Sequence, residues 1–264
     1  MRPAKTLEDH RDYLHRIVAL KLWFLHGWLA DHPNESFVHA LRERVDIYRK
    51  TEANPGPMVP ETIDWESQAW RSLEDGLQEL YGKAVDDREG FERRGLALLT
   101  PSLDARCERD FTDSTVLAPY DCGCLRLDRQ EAAPGVRGFH IANPLSPGSI
   151  FDDPRYLPAC FLVLLEQAKL RFGVTEVTTK TWLNDSPRWL ALFPQTWRDS
   201  LSGPSGEIAW HFGFWGQLLT SRGTFHTAAA AHLRQTGGFA FLPRSARASV
   251  EELRQHFAQT LARL

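Results

Sequence analysis

The stretch from residue 136 to residue 182 constrains this chain more than any other. Val136–Ala142 reads as a strand. Leu157–Phe172 is a strongly apolar run long enough for a helix, with Asp153-Pro154 as its cap and first position and Gly173 as its stop. Val174–Trp182 is rich in valine and threonine, which favour strands. Two strands joined by a helix of that length normally lie parallel, with a right-handed crossover. The expected fold class is therefore α+β or α/β, with a mixed sheet.

The first hundred residues have a different texture. Thr6 with Asp9 resembles a helix cap, and Leu14, Ile17, Val18, Leu22, Leu25 and Trp28 follow at spacings of three and four. That helix should end near Asp31-His32-Pro33. A second is expected over Glu35–Lys50, then an irregular loop over Asn54–Pro60. A third should start near Asp64 and bury Trp65, Ala69, Leu73, Leu77 and Leu80, and a short fourth should cover Asp87–Leu99. Residues 1–100 then form a helical region and 101–264 an α/β domain holding the site. Within the latter, Thr115–Leu127, Glu207–Phe214 and Phe239–Leu242 read as further strands, and Ala133–Gly135 as a turn. Arg188–Trp197 and Trp215–Gln235 read as helices, Ser202–Gly206 as a loop, and Ser249 with Glu252 as the cap of a last helix.

The chain has 264 residues, enough for a sizeable core, with 42% hydrophobic and 25% charged residues. Its formal net charge of −3 argues against nucleic acid or an anionic membrane as partner. The apolar run Ile17–Trp28 is interrupted by Lys21, His26 and Gly27, too short and polar to span a bilayer. A charged start without a signal core, and four cysteines rather than a disulfide framework, point to the cytoplasm. The expected partner is a small-molecule substrate. Nine tryptophans suit a large core or a tryptophan-lined pocket, with Trp23, Trp28, Trp65 and Trp70 shaping it from the helical part.

Two stretches carry chemistry. Phe139–Phe151 lies between a strand end and a helix start, where open sheets bind ligands. His140 is a candidate base there. Asn143, Ser146, Gly148 and Ser149 offer amide, hydroxyl and backbone N–H groups to an anion. The same residues also fit a proline-stiffened turn. Trp210–His226 sets His211, Trp215, Gln217, Arg222 and His226 among rings and glycines. As a strand it would put His211 and Gly213 on one face. His211 is then a second candidate base, or a hydrogen-bonded core histidine. His140, Asn143 and His211 are expected to share one cavity.

The order strand, anion-friendly loop, apolar helix, strand, helix, strand over residues 112–215 resembles the acyl-CoA N-acyltransferase superfamily. The resemblance implies an acyltransferase moving an acyl group from a thioester to an amine or hydroxyl. Asn143–Ser149 would match the loop that holds the pyrophosphate of coenzyme A. Thr181-Trp182-Leu183-Asn184 would lie near the thioester, with Trp182 and Asn184 as binding residues. The family's Arg/Gln-x-x-Gly-x-Gly/Ala signature does not occur here, so an acyl carrier protein, or no acyl donor at all, stands beside coenzyme A.

Two rival readings use the same residues. A metal-dependent enzyme would ligate its ion with His140, His211 and His226, and His232, Asp121, Cys122 and Cys124 are further donors. A non-catalytic protein would bind a ligand in the tryptophan-lined cavity. Cys160, on the apolar helix, reads as an inert core residue.

Overall fold

The computed structural model describes residues 6–55, 63–112 and 122–264. These form two compact units. One holds residues 6–112 and 207–240, and the other 122–206 and 241–264. The chain thus leaves the helical unit, builds most of the α/β unit, returns, and ends in the α/β unit. Parts of the expected loop at 54–60 and strand at 115–127, together with Asp121, lie outside the described residues.

The first helix, α1, spans Leu7–Asp31, and Thr6 and Asp9 form the expected capping box. The expected helix over 35–50 is broken into α2 (Phe37–Ala40), a π turn at Leu41–Val45 and a 3-10 turn at Tyr48–Lys50. Asp46 ends the π turn in the left-handed region, φ 47°, which non-glycine residues seldom adopt. Its cause is tertiary. Buried Lys21 of α1 donates to the carbonyls of Val45 and Asp46, the acceptors that a helix end leaves open. Asp46 also pairs with buried Arg49. Helix α3 is Gln68–Gly82, capped by Ser67. It buries Trp70, Glu74 and Leu77, while Ala69 is exposed. Leu77 is buried as expected and Leu73 and Leu80 are half-buried, but the stripe widens to Trp70 and Glu74 because Glu74 is drawn inward, accepting from Trp70 Nε1 at 3.1 Å and Arg42 Nε at 2.8 Å. Helix α4 runs from Arg88 to Thr112, well past the expected end at Leu99 and through Pro101. Leu99, Leu103 and Cys107 stay fully buried along one face, and packing against α1 outweighs the one backbone bond proline removes.

The α/β unit opens with β1 (Leu125–Ala133) and β2 (Val136–Ile141), an antiparallel pair turning at Pro134-Gly135. Helix α5 (Tyr156–Phe172) ends at Gly173, φ 63°. The expected cap of Asp153 with Pro154 first does not form: the helix starts at Tyr156 after Arg155, without a side-chain cap, and Asp153 accepts the Arg155 N–H at 2.8 Å in the turn before it. Strand β3 (Glu176–Thr181) pairs parallel with β2, as the strand–helix–strand pattern requires. The single helix expected at 188–197 is two, α6 (Pro187–Leu190) and α7 (Gln195–Asp199), because Pro194 disfavours helix at the residue before it.

Residues 207–214 are not a strand. Trp210 donates its N–H to Glu43 O at 2.9 Å and its ring lies 3.7 Å beneath the Arg49 guanidinium. Trp215 donates Nε1 to Arg44 O at 3.0 Å. These anchors, with Gly213 and Gly216, draw the segment into a bend and α8 (Phe212–Trp215). The helix expected over 215–235 shortens to α9 (Thr227–Thr236), after a 3-10 turn at Gly216–Leu218 and a bridge between Leu219 and Phe225.

The last strand is β4 (Arg244–Ser249), not Phe239–Leu242. Phe239 is buried against Trp215 and Phe24 of the helical unit. Helix α10 (Val250–Arg263) follows, its N-cap Ser249 accepting from Glu252 N. The sheet order is β1-β2-β3-β4, antiparallel, parallel, antiparallel, so the fold is mixed α and β. One face carries the core: Phe161 of α5 stacks on Phe257 of α10 at 4.6 Å, and Phe193 on Trp197 at 4.4 Å. Among the described residues no helix is long and apolar enough to cross a membrane.

Leu165 is completely buried in this core. Leu165→Ala should cost ~2–5 kcal/mol in urea denaturation by leaving a cavity. A second expectation concerns pH. Burial draws the Lys21 ammonium down to about 7, while the unfolded chain keeps its proton to about 10.5. Between those values the unfolded state binds more protons, so this group makes stability rise with pH. The stability of the native chain minus that of Lys21→Met should climb from pH 7 to pH 10. A flat difference would place a charged lysine in the folded state.

Candidate active site

Strand alternation divides the residues of β2. Phe139 points into the core, where it meets Phe161 edge-on at 5.6 Å, so Gly138 and His140 face the other side of the sheet. On that polar face His140 is exposed, and its Nε2 lies 2.7 Å from Asp128 Oδ1 of β1. Gly138 makes this approach feasible. A Cβ there would stand 2.1 Å from Asp128 Oδ2. With the Nε2–H given to the carboxylate, Nδ1 carries the lone pair and can accept a proton.

The two parallel strands part beside this pair. Val136, Arg137 and Gly138 pair with Glu176, Val177 and Thr178, and there the ladder stops, although both strands continue for three residues. Just beyond the last pair the Thr179 hydroxyl donates to Phe139 O at 3.0 Å, in place of a backbone donor. The Ala142 N–H bonds toward β1, to Cys124 O. By alternation the N–H and C=O of Ile141 face the gap.

Asn184 determines which strand moves away. It is fully buried, and its Nδ2 donates to Thr179 O at 3.0 Å and Arg244 O at 2.8 Å. Its Oδ1 accepts from Trp189 Nε1 at 3.0 Å. Asn184 is thus a clamp on β3, β4 and α6 and does not present its amide to a ligand. Trp182 is half-buried and stacks on Phe241 at 5.9 Å.

The loop after β2 satisfies itself. Asn143 Nδ2 donates to Gly148 O at 2.9 Å, and Asn143 Oδ1 accepts from Leu145 N. Ser146 precedes a cis Pro147. The Gly148 N–H donates to Leu145 O at 2.9 Å, and the Ser149 N–H to Asp152 Oδ2 at 2.7 Å. The N–H groups expected to cradle an anion are engaged, one of them by a carboxylate that would repel it.

The remaining expected residues belong to the helical unit. His211 caps α8, its Nδ1 accepting from Gly213 N at 3.0 Å, and His226 caps α9 in the same way through Ala229 N. The strand alternation that grouped His211 with Gly213 does not exist. Trp215 and Gln217 are buried, and Arg222 is exposed on a turn. Trp23 lies under Arg88 and Arg234, Trp28 stacks on His32, and Trp65 and Trp70 pack on each other and on Tyr48. These rings fill the unit's packing. A hollow of about 360 Å³ in the same unit is lined by Arg16, Phe225 and Arg234, with no tryptophan. Among the described residues no group of three His, Cys, Asp or Glu side chains could hold a metal ion.

The Asp128–His140 pair is the feature that sequence reasoning missed. Its signal was Gly138, a glycine inside a strand, which marks a close approach. No protein-family model, curated protein or solved structure matches this chain.

Replacing Asn184 by alanine leaves the Thr179 and Arg244 carbonyls and the buried Trp189 indole N–H without this partner. Stability should fall by roughly 2–4 kcal/mol in chemical denaturation. A loss below about 1 kcal/mol would mean that water replaces the clamp.

Proposed function

We propose that the α/β unit transfers an acyl group from a thioester to an amine or hydroxyl. The observation that carries this reading is the parting of β2 and β3 beside an oriented histidine. A gap at the carboxyl ends of parallel strands is where open sheets take ligands. Its edges present backbone donors and acceptors, which suit an extended arm bearing amides, bound as an added strand would be. The pantetheine arm shared by coenzyme A and carrier proteins has that chemistry. The self-bonded loop at 143–149 gives the arm's phosphate end no cradle, so its amides supply the recognition.

In this reading His140 Nδ1 takes the proton from the attacking amine or hydroxyl as the carbon–nitrogen or carbon–oxygen bond forms. Asp128 holds the ring in the required tautomer and stabilises the imidazolium. The tetrahedral intermediate then collapses, the carbon–sulfur bond breaks, and the departing thiolate takes the proton back from the His140 imidazolium.

The test uses a pantetheine thioester without nucleotide, acetyl-coenzyme A, and a loaded carrier protein. At least one should raise stability by about 2.7 kcal/mol at a hundredfold excess over its Kd. It should also slow amide exchange at residues 139–141 and 179–181. With a reacting amine panel, thiol release should follow, and His140→Ala should reduce kcat by ~10²–10⁴ while leaving that protection in place. No protection with any of the three donors would overturn the reading.

A further inference from the structure

Cys122, Cys124 and Cys160 are buried together where β1 begins and α5 makes its first turns. Residues 122–125 form a tight turn, with backbone bonds from Cys122 N to Leu125 O and from Leu125 N to Cys122 O. Gly123 occupies the left-handed region at φ 66°. A Cβ on it would stand 2.6 Å from Cys160 Sγ and 3.2 Å from the Tyr156 hydroxyl. The glycine therefore lets the Cys160 sulfur rest directly on the turn. That sulfur therefore lies beside Cys124 and the Tyr156 hydroxyl, the two groups that act on it most. Sequence reasoning took Cys160 for an inert core thiol. Cys107, completely buried and 3.6 Å from Leu7 O, serves as the reference thiol. Cys160 is likewise a core residue, but its sulfur is set against the turn.

We infer that Cys160 and Cys124 form a hydroperoxide-sensitive dithiol that closes to a reversible disulfide across the 122–125 turn. Cys124 and the Tyr156 hydroxyl hold Cys160 below the ordinary thiol range, the Cys124 thiol contributing most, while its interaction with Cys160 and burial keep Cys124 protonated well above it. The thiolate is the nucleophile in thiol chemistry. Cys160 is 6% exposed, which keeps out bulky oxidants, so a small hydroperoxide is the oxidant proposed. In the first step its sulfur attacks one peroxide oxygen. The O–O bond breaks, an S–O bond forms, and the departing hydroxide takes a proton to leave as water. In the second, the Cys124 sulfur attacks the sulfenic sulfur. The S–S bond forms, the S–O bond breaks, and the hydroxide leaves with the Cys124 proton as a second water. Two thiols are oxidised and one hydroperoxide is reduced. Cys160 Sγ rests against Gly123, the residue next to Cys124, and closing the ~2 Å bond requires the two sulfurs to turn toward each other. This inference does not depend on the acyl-transfer reading.

The test exposes the whole chain to hydrogen peroxide, blocks remaining thiols, and maps peptides without reduction. The expected product is one intramolecular Cys124–Cys160 bond, reversed by dithiothreitol and formed about tenfold or more faster than Cys107 is oxidised. Cys124→Ser should stop at a sulfenic acid on Cys160 that dimedone traps. Cys160→Ser should leave Cys124 reduced. Should a variant fail to fold, the rate ratio of Cys160 to Cys107 within the native chain carries the test. Thiols that all survive excess peroxide, a bond to Cys122 or between molecules, or equal rates at Cys107 and Cys160 would overturn the proposal.

Discussion

The α/β unit depends on one buried amide. Asn184 sits where β3, β4 and α6 meet, and three hydrogen bonds exhaust most of what its side chain can offer. It binds the end of β3 to β4, which stay paired over six residues. No comparable tie joins β3 to β2, where the Thr179 hydroxyl is the last link. A sheet whose carboxyl end is held on one side opens on the other. The site on β2 is thus a consequence of satisfying polar groups in the core, and the requirement that buried polar groups be paired does much of the selecting.

The helical unit follows the same rule with charge. Lys21 enters the interior to meet two carbonyls, Asp46 accepts an unfavourable backbone conformation beside it, and Arg49 closes the set under the Trp210 ring. The helix expected over residues 35–50 is overridden by a single long side chain arriving from another helix.

This explains what could be read from the sequence. The parallel β2–α5–β3 unit was legible, because burial on one side of a strand or around a helix imposes its own period. So were the caps Thr6, Ser249 and Gly173, which act within a few residues. What could not be read came from contacts between distant residues. Pro101 does not stop α4, Trp210 and Trp215 pull a strand-like run into turns, and Asn184 faces inward. At the site, His140 was visible as a residue type, but its partner Asp128 was not, since register across a hairpin with bulges does not follow from spacing. The loop at 143–149 had the composition of an anion cradle. Its N–H groups were nevertheless spent on Leu145 and Asp152, a choice that composition does not record.

The chain's passage through both units bears on how it is made. During synthesis β3 emerges with one edge bare, and the strand that covers that edge lies beyond the whole of residues 207–240. An uncovered strand edge is a template for pairing with other chains. The nascent protein must therefore carry an adhesive strand until residues 244–249 have been made, while the helical unit completes itself in between.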